Sequence, residues 1–124
     1  MRLTVLAPLA LIALSACAAQ TTTAAMPESG YAPGALAYGA IMDADWKRAE
    51  AQLASSSAAE NDPARLLNLA HIYRKTGREL EARKLYQAVL DERDMTLETA
   101  KGEPASAHQL AQRALATPVG VAAR

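Results

Sequence analysis

The sequence predicts an all-α fold, a short stack of about two helical hairpins closed by a C-terminal capping helix. Three observations carry that expectation. Apolar residues recur at i, i+3, i+4 and i+7 from Leu66 to Tyr73 and again from Ala82 to Val89, the spacing of one helix face. Asp62-Pro63 and Thr76-Gly77 bracket the first of these runs as a helix start and a helix stop. Apolar residues make up 51% of the chain, but much of that share is alanine and phenylalanine is absent. Alanine favours helices and has little side chain to bury, so the expected core is thin. With 124 residues there is room for one small domain.

The chain opens with Arg2 and an uncharged run from Leu3 to Leu14. That run is too short for a membrane span, which needs about 20 residues, and suits the core of a signal peptide. Leu14-Ser15-Ala16-Cys17 follows, with the chain's single cysteine. No disulfide can form within the chain. The four residues resemble the bacterial lipobox: an aliphatic residue, two small residues and a cysteine. The resemblance implies that Cys17 becomes the N-terminus and carries lipid on its sulfur and on its freed amine. More than one acyl chain, at about 0.8 kcal/mol per buried CH₂, gives a stable anchor. Ala16-Cys17-Ala18 also fits ordinary cleavage after Ala18, which leaves a soluble protein. In lipoproteins an aspartate after the cysteine often favours inner-membrane retention; Ala18 stands there and leans towards the outer membrane. Residues 18–33 contain Thr21-Thr22-Thr23, Pro27, Gly30 and Pro33, and their lack of periodicity reads as a flexible tether.

The helical body is expected over 34–116. A first helix is placed from Gly34 to Met42, with Tyr38 and Ile41 facing inwards. Asp45 reads as the N-cap of a second, which runs from Trp46 through Ala49 to Leu53. Ser55 to Asn61 forms a loop. Asp62 then caps a third helix, with Pro63 at its first position and Leu66, Leu69, Ala70 and Tyr73 on its inner face. Gly77 closes that helix in the left-handed conformation. A fourth begins at once, with Leu80 near its start and Ala82, Leu85, Tyr86 and Val89 on one face. Two helices joined by such a turn make an αα-hairpin.

Leu66, Leu69, Ala70, Tyr73, Gly77, Ala82, Tyr86 and Val89-Leu90 stand in an order that resembles a tetratricopeptide repeat (TPR). In that pattern the small residues, Ala70 and Ala82, let backbones approach, and the tyrosines fill the space beside them. Glu79 departs from it, since the family often has an aromatic there, and Leu80 is expected to take over its contacts. Trp46 and Ala49 lie 33 residues before Glu79 and Ala82, against a family period of about 34. The first repeat is therefore read as degenerate; Ala44 replaces the glycine of its turn. After Arg93 the pattern lapses. Glu103-Pro104 is expected to start a final helix, to about Ala116, with Leu110 and Ala114 and also Ala107 and Ala111 on one face. A stack usually needs about three repeats, so this helix is expected to complete the core, with homo-oligomerisation or partner-dependent stability as the alternative. Pro118 and Gly120 leave a frayed tail over 117–124.

The residues offer little chemistry. Lys+Arg and Asp+Glu are both 13, so no net field draws in nucleic acid or an anionic surface. No glycine-rich phosphate loop, Gly-x-Ser-x-Gly or cysteine–histidine pair is present in the folded part. His71 and His108 lack the neighbours that a zinc site requires. Asp91, Glu92 and Asp94 read as a solvated helix end. No enzyme activity, metal or cofactor is expected. Leu67, His71, Arg74 and Lys75 form one stripe of the third helix, which in TPR proteins lines a peptide groove. The resemblance implies a mildly basic groove for an acidic or C-terminal peptide, beside the plainer reading of a solvated face. The expectation for the whole is a lipid-anchored adaptor or assembly factor of the bacterial envelope, facing the periplasm. Its expected partner is another envelope protein, of a pilus, secretion or outer-membrane assembly system. The alternative is a structural subunit that self-associates.

Overall fold

The computed structural model describes residues 30–118. The expected signal segment, Cys17, most of the tether and residues 119–124 lie outside them. The described chain is mostly helical, with one small two-stranded sheet. The elements are α1 (Tyr38–Met42), α2 (Trp46–Ala54), α3 (Pro63–Lys75), α4 (Glu79–Asp91), β1 (Thr96–Glu98), β2 (Pro104–Ser106) and α5 (Ala107–Ala116).

α1 is much shorter than the helix expected from Gly34. Gly34 and Ala37 both take left-handed backbone conformations, at φ 80° and φ 56°, and break the helix before Tyr38. The burial within it also differs. Ala37 and Ala40 are buried, whereas Tyr38 and Ile41 are only half-covered. Asp45 caps α2 by accepting from the Arg48 N–H, and Asp62 caps α3 by accepting from the Ala64 and Arg65 N–H groups. Pro63 sits in the first turn of α3, where its missing N–H costs nothing.

The turns that end α1 and α3 share one geometry. Gly77, at φ 80°, donates to the Arg74 carbonyl, and Arg78 donates to that of Tyr73. Ala44, at φ 55°, donates to the Ile41 carbonyl, and Asp45 to that of Ala40. Each is a Schellman closure, with one hydrogen bond across five residues and one across three. The first hairpin therefore makes the same turn without glycine, with alanine against its steric preference. Residues 33 apart correspond elsewhere too. Ala37 and Ala70, Ala49 and Ala82, and Leu53 and Tyr86 are buried pair by pair.

α3 lies at the centre. Its Ile72 joins Ala37, Ala40, Ala49 and Leu53 in one buried cluster. Its Leu66 and Ala70 join Ala82, Tyr86, Val89, Ala107 and Ala111 in another. Leu53, Ile72 and Val89 are the largest side chains buried completely. The core is thin, as an alanine-rich composition implies. Arg78 ties the halves together, pairing both guanidinium nitrogens with Glu50 at 2.9 and 2.7 Å and lying over the Tyr73 ring.

Leu80 does not replace a missing aromatic at Glu79. It is 77% exposed. Glu79 itself turns inwards and pairs with Arg74 at 3.6 Å, the two helix ends meeting across the turn.

The segment after Arg93 forms an antiparallel hairpin, β1 against β2, with Leu97 opposite Ala105. The loop closes through Thr99 and Gly102, which has φ 76°. Pro104 therefore opens a strand, where proline is tolerated because it has no N–H to leave unpaired. The expected helix start at Glu103-Pro104 moves to Ala107. Ser106 caps α5 through the Gln109 N–H, and Asp94 accepts from the Ser106 hydroxyl and the His108 N–H. Ala107 and Ala111 are fully buried against α4, while Leu110 and Ala114 are half-covered.

Candidate functional site

α1, α3, the β-hairpin and α5 enclose a groove of about 870 Å³. Leu36, Ile41, Leu67, Leu97 and Leu110 contribute apolar walls, and Met42 and Met95 stand at its rim, 60% and 36% exposed. Methionine gives such a rim an adaptable apolar surface. The lining contains no lysine or arginine, and its one carboxylate is that of the exposed Glu98.

Local structure positions the polar groups. Asn68 faces the segment before α1 and donates from Nδ2 to the Leu36 carbonyl at 2.8 Å, fixing that wall. Tyr31 donates to both oxygens of the Asp62 carboxylate, at 3.1 and 2.9 Å. Burial, then the hydrogen bond and charge of Asp62, raise the Tyr31 phenol to about 12. Tyr31 was expected in a free tether; it is instead docked on the body and lines the groove. The His71 ring lies edge-on to Trp46, with centroids 5.9 Å apart and planes at 66°. Burial and the nearby charges of Lys75 and Arg74 hold its pKa below the ordinary value. At neutral pH it is an uncharged imidazole, with one donor and one acceptor nitrogen.

The four expected groove residues separate. Leu67 and His71 line the groove, and Arg74 and Lys75 do not. Arg74 is directed to α4, where it pairs with Glu79; burial raises the Tyr86 pKa and the nearby Arg74 opposes the rise. Lys75 is exposed at the end of α3. The expected basic character is therefore corrected: the groove is apolar. The cause is the third wall. The hairpin and α5 bring Met95, Leu97 and Leu110 beside Leu67, and the helical stripe alone gave no sign of it. Thr96-Leu97-Glu98 alternates over only three residues, too few to mark a strand by its period.

The repeat residues Leu66, Ala70, Ala82 and Tyr86 are buried in one cluster, with Tyr73 packed against it; Leu69 packs against the other, and Gly77 makes the turn. His108 is engaged with the Glu92 carbonyl at 2.8 Å. Asp94 has its pKa lowered by the His108 N–H and the Ser106 hydroxyl, so this acidic residue braces α5. Asp91 is exposed. No group of three or more His, Cys, Asp or Glu among the described residues is placed to hold a metal ion. No described helix is long and apolar enough to cross a membrane.

No protein-family model matches the chain, and no curated protein or solved structure does.

Proposed function

We propose that this chain is a lipid-anchored TPR-like adaptor of the bacterial envelope, which holds an apolar segment of another envelope protein in the groove between α1, α3, the hairpin and α5. One observation carries the reading: two helical hairpins repeat at 33 residues, with matched Schellman turns and matched buried alanines, and leave an apolar groove beside α3. Repetition of this kind builds concave surfaces from stacked units. The lipobox-like Leu14-Ser15-Ala16-Cys17 supplies the anchor and the outer-membrane, periplasm-facing location. Leu67 and His71 are the contacts retained from the sequence, and Met42 and Met95 join them at the rim. No catalytic role or cofactor is part of this proposal.

The test is crosslinking in cells with a C-terminally tagged chain, followed by mass spectrometry of the membrane fraction. Capture of one envelope protein, lost when Met42 and Met95 are replaced by glutamate, supports the adaptor. Capture unchanged by those replacements removes the groove from the reading. The exposed Leu80 favours a second reading, a structural subunit that self-associates. Sedimentation separates the two: an oligomer that Leu80→Glu dissolves supports the structural subunit, and a monomer at all concentrations the adaptor.

A further inference from the structure

Where the chain enters the described body bears on what the groove holds. Tyr31 is tied to Asp62 at the start of α3 and lines the groove. Tyr31, next to the first described residue, therefore sits at the groove. Twelve residues lie between Cys17 and Gly30, and a chain of that length reaches at most about 45 Å. A compact body of this size has a radius of gyration of about 12 Å. A group carried by Cys17 can reach any part of the groove.

The lining narrows the choice of occupant. No lysine or arginine faces the groove, so a carboxylate or phosphate entering it meets no counter-charge. The walls are mainly leucine, isoleucine and methionine, interrupted by Asn68, Thr96, Thr99 and the exposed Glu98, and His71 among them is uncharged at neutral pH. An acyl chain with an uncharged linkage fits this environment. Lipid on the sulfur of Cys17 is held by a thioether, and acylation turns the freed amine into an amide, so a terminus modified at both positions has no ionised group.

We propose that an acyl chain on Cys17 seats in the apolar groove of its own chain when no bilayer is present, and leaves the groove when a bilayer takes it up. This rests on the lipid-anchor reading above. Attachment through a short linker gives the acyl chain an effective concentration in the mM range without any further contact. The groove is also the proposed partner site, so the partner gains access only after the anchor has inserted. Membrane insertion and partner binding are thereby coupled through competition for one surface.

Cells are fed a fatty acid bearing a photoactivatable diazirine, and the full tagged chain is purified and freed of detergent. Its intact mass first establishes whether Cys17 is acylated. Irradiation is expected to crosslink the acyl chain to Met42, Leu67, Met95 or Leu110 of the same molecule. Phosphatidylcholine vesicles, added before irradiation, should reduce those crosslinks at least tenfold. M42E/M95E changes only exposed rim side chains and should reduce them as much, with helical circular dichroism unchanged. Acylated protein that crosslinks outside the groove, or between molecules, overturns the inference and leaves the lipid anchor standing. So do groove crosslinks that vesicles do not diminish. An unmodified Cys17 overturns both.

Discussion

His71 concentrates several effects in one residue. Its ring meets Trp46 of α2, and Lys75 and Arg74 of its own helix oppose its protonation. Because the folded pKa lies below the ordinary 6.5, the unfolded chain takes up the proton first as pH falls. Stability is then expected to drop from about pH 6.5 downwards and to level off below the folded pKa. His71→Gln should flatten that part of the profile in urea unfolding at a series of pH values. Trp46 is the only tryptophan, so quenching of its fluorescence by the imidazolium should titrate below pH 6.5 and disappear in the same variant.

Ala44 and Gly77 give a matched pair of backbone experiments. Both occupy the left-handed region, where a Cβ costs about 1–2 kcal/mol. A Cβ added to Gly77 meets nothing within 4 Å, so Gly77→Ala reads backbone strain alone and should destabilise by about 1 kcal/mol. Ala44→Gly should stabilise, by less than about 1 kcal/mol, because glycine also gains freedom in the unfolded chain. Equilibrium denaturation of both variants checks the opposite signs. Equal destabilisation would show that the Ala44 methyl has a packing role that its exposed position does not suggest.

At the scale of elements, the hairpin and α5 act as one unit. Asp94 precedes β1, accepts from Ser106 at the end of β2 and from the first turn of α5, and so closes the loop that holds the third groove wall. Ser106→Ala removes both the cap and the Asp94 contact and should cost about 1 kcal/mol. Amide exchange should quicken over 96–116 before it changes in α2 or α3. The Asp94 carboxyl has a lowered pKa, so its contribution is present above the unfolded-state value of 3.8 and is lost as pH falls through the folded value. The existence of α2, α3 and α4 was legible in the sequence because caps, glycine stop and apolar spacing agree there. The hairpin was not, since strands of three residues carry almost no period and Glu103-Pro104 imitates a helix start.

At the scale of the molecule, α3 belongs to both buried clusters, and its Ile72 is among the few large side chains buried completely. Few alternatives exist in an alanine-rich core to fill a cavity there. Ile72→Ala should cost about 2–5 kcal/mol, a large part of the roughly 5–10 kcal/mol that holds a domain of this size. Both hairpins are expected to lose structure in one transition, with fluorescence of Trp46 and helical circular dichroism following the same curve. Two separate transitions would show that α1 and α2 form an independent layer.

The sequence by itself determined the helical body, the start and stop of α3, the turn at Gly77 and the thin core, because each depends on residues within a few positions of one another. Of the stripe Leu67, His71, Arg74 and Lys75, only Leu67 and His71 line the groove. Only the tertiary structure decided the character of that groove. Arg74 shared the stripe by spacing, yet it pairs with Glu79 of α4 and does not line the groove. Met95 before β1, Leu97 on β1 and Leu110 on α5 reach the groove from a part of the chain distant in sequence from α1. Helical spacing states which side chains share a face; what stands opposite that face is set by the rest of the chain.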